Sequence, residues 1–230
     1  MLWQVKGYNV YFVIDDHLFA EAFTIMQSTT QPILLQADNL ACERDERSLY
    51  VGLRLTVKVG EIWHIKGPNG AGKTSLLRQL AGLLPVDQGE VTFPAGEELL
   101  YIGHKLAIKD QLSANENLAW LTALTLPSSE DQRYAALEKV GLRGYEETLA
   151  LQLSAGQRRR IALARLHLNP APLWLLDEPF TAMDQQGVID EQRWFAEHLR
   201  AGGAIVLTSH QDLAMDDVRI LDLSAIEVNL

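Results

Sequence analysis

The chain has 230 residues, 30 of them acidic and 20 basic, for a formal net charge of −10. That length buries a full core, as one compact domain or one with a modest insertion, while the acidic balance counts against nucleic acid as a partner. The single cysteine, Cys42, excludes an internal disulfide and a cysteine-cluster metal site and fits a reducing compartment; no apolar run reaches the ~18 residues of a bilayer span, so membrane association would have to go through a partner.

Residues 1–31 fit poorly with the rest of the chain. Aromatics are mixed with Asp15, Asp16 and Glu21, and Gln27 to Pro32 is a polar linker. The acidic pair interrupts what an apolar signal core would need, so this does not read as a signal peptide. Either it is an N-terminal extension of hairpin type or translation starts at Met26, and the second reading is slightly favoured. From residue 32 to 230 the pattern is regular. Ile33–Ala37 is strand-like, Leu49–Val51 and Leu53–Val59 alternate with period two, and Gly60-Glu61 turns into a strand over Ile62–Lys66.

The next residues, Gly67-Pro68-Asn69-Gly70-Ala71-Gly72-Lys73-Thr74, match G-x-x-x-x-G-K-[ST], and Ser75 continues into an apolar-periodic helix through Leu76, Leu77, Leu80 and Leu83. Three glycines let backbone N–H groups turn inward around a polyphosphate, and the positive end of the helix points the same way. By the mechanics of that loop, Lys73 would reach the β- and γ-phosphates and the Thr74 hydroxyl would ligate Mg²⁺. Strands are predicted over Gly89–Phe93 and Leu99–Ile102. The period then changes. Ser113–Glu116 and Ser129–Gln132 are capping boxes, opening a helix over Asn115–Leu124 and a second closed near Gly141. Residues from about 104 to 157 read as a helical insertion in an α/β domain.

A helix over Ser154–Leu168, a buried strand over Pro172–Asp177, a helix over Val188–Arg200, a buried strand over Ala204–Ser209 and an edge strand over Ile220–Leu223 complete the chain. Alternating strand and helix imply a mainly parallel sheet. Leu173–Leu176 is a dry strand that ends in Asp177 and Glu178, at the edge where ligands of such sheets bind. Asp177 suits the hydration shell of Mg²⁺ and Glu178 the polarising of an attacking water. An Asp-Glu pair alone is commonly a turn; beside the phosphate loop it becomes half of a nucleotide-hydrolysis site.

Ser154-Ala155-Gly156-Gln157, followed by Arg158, Arg159 and Arg160, makes a second helix N-terminus able to face an anion. By itself this is a Ser-capped helix with an exposed basic face. With the phosphate loop, helical insertion, Asp177-Glu178, Ala182-Met183-Asp184 and His210 in this order, it resembles the signature of ATP-binding cassette (ABC) ATPases, over about residues 33 to 225. The resemblance implies a P-loop NTPase of ABC type with a mainly parallel core, a small antiparallel β layer and an inserted helical subdomain. It also implies that two copies of the chain meet head to tail. Ser154, Gly156 and Gln157 would then cap the opposite nucleotide, Asp184 would lie at the seam, and His210 would contact the γ-phosphate and steady Glu178.

Three positions depart from that pattern. His104 stands where the lid glutamine is usual, Arg44 falls where an aromatic would stack on adenine and could stack its guanidinium instead, and Ala155 replaces a glycine. Asn39–Arg47, Tyr101–His104, the Ala155 signature with its three arginines, and Pro172–Asp184 are similar to the ATP-binding subunit of bacterial haem exporters of cytochrome c maturation. That likeness implies an ATPase peripheral to the cytoplasmic face of the inner membrane, docked on multi-spanning membrane subunits and using ATP and Mg²⁺, with no direct haem contact expected: no Cys-x-x-Cys-His is present. An ABC ATPase for another substrate, a soluble ABC protein acting on ribosomes or DNA, and a simple P-loop kinase are the alternatives. The last leaves the signature and His210 unexplained.

Overall fold

The computed structural model describes residues 3–5, 8–10, 31–44, 47–96, 98–123 and 126–226. Met26, the alternative start, and Leu124, the expected helix end, lie outside them. The chain divides into two units, Met1–Pro32 and Ile33–Leu230. In the first, β1 (Trp3–Val5) pairs antiparallel with β2 (Tyr8–Val10).

The second unit opens on two long strands, β3 (Ile33–Arg44) and β4 (Arg47–Lys58), paired antiparallel. The sequence suggested a short strand ending at Ala37 and two separate strands around Gly52. Bulges account for the difference. Asn39 takes φ 53° and Gly52 φ 72°, so each strand slips register yet stays in the ladder. β6 (Gln88–Thr92) adds antiparallel to β3. Its Gly89 sits at φ 85° against the bulge, where an added Cβ would lie 2.4 Å from the carbonyl oxygens of Asp38 and Asn39, so only glycine fits.

Five strands form a parallel sheet in the order β10 (Arg219–Asp222), β5 (Ile62–Lys66), β9 (Ala204–Thr208), β8 (Leu173–Asp177), β7 (Leu99–Ile102). β8 and β9 are buried at every residue, as dry strands covered on both faces must be. On one face, α1 (Lys73–Leu80) packs Leu76, Leu77 and Leu80 into a core shared with β3 and β4; on the other, Trp174, Leu176, Ile205 and Leu207 meet α4 (Ala155–Ala164) and α5 (Gln185–Arg200). α4 is shorter than expected: its last turn tightens into a 3₁₀ segment at Arg165–His167. α5 starts three residues early, because Asp184 accepts from Gly187 N at 2.9 Å and so caps it.

α2 (Ala114–Thr122) and α3 (Glu130–Lys139) carry the two capping boxes, both complete. Leu118, Leu137, Val140 and Leu142 form a third apolar cluster with Ile161 and Ala164 of α4. The helical subdomain thus shares its core with the helix that follows Ser154.

Candidate nucleotide site

Parallel strands present their carboxyl ends on one edge, and here four neighbours in the sheet each deliver a polar group to it. The phosphate loop follows β5, His210 lies just past β9, Asp177-Glu178 ends β8 and His104 follows β7. They converge on one cleft of about 630 Å³, lined by Asn69, Gly70, Gly72, Lys73, Thr74, Ser75, His104, Asp177, Glu178 and His210 together with Arg44, Arg47 and Leu49. Pro68 and Ala71 line an adjoining hollow.

The loop holds its shape from within. Lys73 Nζ donates to Gly67 O at 2.8 Å and Pro68 O at 3.1 Å, and Gly67, Gly70 and Gly72 sit at φ 144°, 81° and 96°. Beneath Gly72 lies the ring of Tyr50, whose hydroxyl donates to Gln79 of α1 at 2.7 Å. Burial pushes the Tyr50 phenol pKa well up, so it stays a neutral donor.

Thr74 Oγ1 lies 3.2 and 3.0 Å from the two carboxylate oxygens of Asp177, which itself is buried. These hard oxygens fit a small divalent cation whose other ligands are waters and phosphate oxygens. Among the described residues no cluster of three or more His, Cys, Asp or Glu could hold a metal ion.

Glu178 is a non-glycine residue at φ 54°, a conformation that costs about 1 kcal/mol or more and needs outside support. Its N–H donates to Thr208 O at 3.2 Å and Thr208 Oγ1 at 3.0 Å, while its carbonyl accepts from Thr181 N at 3.2 Å and from the Arg159 guanidinium. So held, the carboxylate meets His210, whose backbone N donates to Oε2 at 3.3 Å and whose Nε2 is 3.5 Å from Oε1. Nearby, His64 Nε2 lies 3.0 Å from Ser209 O, and burial lowers its pKa.

Ser154, Gly156, Gln157 and Asp184 do not reach this cleft. They gather in a second concavity with Ala155, Arg160, Ala182 and Met183. Ser154 Oγ accepts from Gln157 N at 3.1 Å and Gln157 Oε1 accepts from Ser154 N at 2.9 Å, so the first turn of α4 is locked. Arg160 Nη2 stands 3.1 Å from Asp184 Oδ1.

Sequence reasoning missed three residues. Thr208 is the hydroxyl near the end of a buried strand. Arg159, read as part of an exposed basic run, is 3% exposed; its spacing to Ala162, Leu163 and Leu166 already placed it on the apolar face. Glu191, fully buried on α5, shares its face with Val188 and Phe195.

An Asp-Glu strand end beside a phosphate loop on a parallel sheet defines a P-loop nucleotide-hydrolysing domain. Residues 50–181 match the ABC transporter family model. The cytochrome c biogenesis ATP-binding export protein CcmA of Pseudomonas putida is 52% identical over 78% of this chain and 90% of its own length, and that of Hahella chejuensis 46% over 86% and 99%. The fold is also that of an ATP-binding cassette of an ABC transporter solved in its ADP conformation, MJ1267, at 18% identity with a TM-score of 0.70 over 83% of this chain and 87% of that one. The chain belongs to the ABC transporter family and groups with these export proteins.

Proposed function

We propose that the chain is the ATP-hydrolysing subunit of an ABC transporter complex that powers haem handling for c-type cytochrome biogenesis. The convergence of Lys73, Thr74, Asp177, Glu178 and His210 on one cleft carries the hydrolytic part, and the similarity to the CcmA proteins carries the haem part.

In this reading the backbone N–H groups of Gly70, Gly72 and Lys73 and the Lys73 ammonium bind and orient the phosphates, and Arg44 stacks on the base. Thr74 and Asp177 would hold Mg²⁺, which when bound would neutralise phosphate charge. Glu178 orients a water in line with the γ-phosphorus and takes its proton, while His210, beside both oxygens of that carboxylate, fixes its direction and contacts the γ-phosphate. His104 closes the cleft from the β7 side.

The signature residues lie in a separate concavity on the same chain. A nucleotide in the cleft of one copy is therefore completed by Ser154, Gly156 and Gln157 of a second copy, with Asp184 at the seam. No helix among the described residues is long and apolar enough to cross a membrane. On the likeness to the CcmA export proteins, the pair docks as a peripheral ATPase on membrane-spanning subunits, at the cytoplasmic face of the inner membrane.

Affinity capture from detergent-solubilised membranes tests this. Recovery with a multi-spanning protein of the cytochrome c maturation system supports it; recovery with ribosomes, or with no membrane protein, counts against it.

A further inference from the structure

Arg159 sits on the helix opened by Ser154, yet its side chain works on the other site. Its Nε donates to Pro179 O at 3.0 Å and its Nη2 to Asp177 O at 3.1 Å and also to Glu178 O. A planar guanidinium thus grips three consecutive carbonyls that bracket Glu178. The bonds from Thr208 fix the N–H side of the same left-handed residue. Glu178 is pinned on one side from β9 and on the other from α4.

A buried arginine that served packing alone would need its charge met, but not by the backbone of one particular turn. Burial of Arg159 disfavours its charge and lowers its pKa. The neighbouring contacts run the same way. An added Cβ on Gly156 would lie 2.6 Å from Ala182 O, and Arg160 reaches Asp184. The first turns of α4 and the segment from Asp177 to Asp184 therefore form one tied unit.

We propose that Arg159 is a positioning residue for hydrolysis: by holding the Asp177–Pro179 backbone from the signature helix, it keeps the Glu178 carboxylate turned into the cleft. A lysine offers a single ammonium in place of the fork and cannot span three carbonyls. The inference rests on Glu178 as the group that orients water.

The test is a double-mutant cycle on the full chain, with single-turnover hydrolysis at saturating Mg-ATP, equilibrium ATP affinity and thermal melting read together. Arg159→Gln is expected to slow the turnover of folded protein about tenfold with ATP affinity held within roughly twofold. In a Glu178→Gln background the same change should cost less than about twofold, because it acts through Glu178. An equal loss in both backgrounds, or an undiminished rate from protein that merely melts earlier, overturns the inference. If Arg159→Gln does not fold, Arg159→Lys is read by the same criteria. Undiminished turnover by Glu178→Gln alone would defeat the reading of Glu178; slowed turnover there with normal Arg159→Gln would defeat only the present inference.

Discussion

The Thr208 hydroxyl donates to Asp177 Oδ1 at 2.8 Å across the β8–β9 ladder. Its oxygen also accepts from Glu178 N at 3.0 Å, so one hydroxyl organises both acidic residues. Thr208→Val keeps the shape and removes both bonds. Glu178 N keeps Thr208 O and Asp177 keeps Thr74 Oγ1 as partners, so the loss is the net worth of the hydrogen bonds themselves, about 1–2 kcal/mol. We expect a lower melting temperature by calorimetry and a several-fold higher Mg²⁺ requirement for ATPase activity; an unchanged Mg²⁺ titration would remove Thr208 from the metal side of the site.

Glu178→Gln should still bind ATP and form an ATP-dependent dimer, visible by size-exclusion chromatography, while turnover falls on the order of 100-fold, the usual weight of a lost general base. Lys73→Ala should fail earlier, with ATP affinity weakened about tenfold or more through loss of a charge-assisted contact. Titration calorimetry separates these two defects.

Arg44 and Arg47 are cross-strand neighbours in the β3–β4 pair, and both line the cleft. If Arg44 stacks on the base, Arg44→Ala should cost about 1 kcal/mol, roughly a fivefold rise in KM for ATP, with kcat little changed. Arg44→Trp should restore the affinity. A KM untouched by either change would place the base elsewhere.

Burial raises the Glu191 pKa from the ordinary 4.5 to about 8, with Arg159 opposing the rise. The folded chain then binds a proton that the unfolded chain has released, so this residue makes stability fall as pH rises from about 4.5 to about 8, by up to ~1.4 kcal/mol per pH unit. Glu191→Gln has no proton to lose. Its stability advantage over the parent, from denaturant titrations at pH 5, 6.5 and 8, should be small at pH 5 and grow with pH; a constant difference would contradict the burial argument.

Most of the sheet was legible because β8 and β9 are short dry strands and β5 a short one, with glycine or charge at their ends, and because Ser113 and Ser129 announce their helices through capping boxes. The β3–β4 ribbon was not. Asp38-Asn39 and Gly52 look like breaks in a period-two pattern, and only pairing across the ribbon shows them to be bulges within continuous strands. The phosphate loop, Asp177-Glu178 and His210 follow strand ends, so topology alone gathers them. Arg159 and Glu191 were hidden for the opposite reason: charge suggested solvent, while helical spacing placed both on apolar faces.

The cleft and the signature concavity are built from different residues of one chain. In a head-to-tail pair, damage to either region of one copy spoils only one of the two chambers. A copy carrying Lys73→Ala and another crippled at Gly156, each inert among its own kind, should therefore rebuild a single working chamber when mixed. Allelic complementation in a cell that carries both defective genes would be its signature.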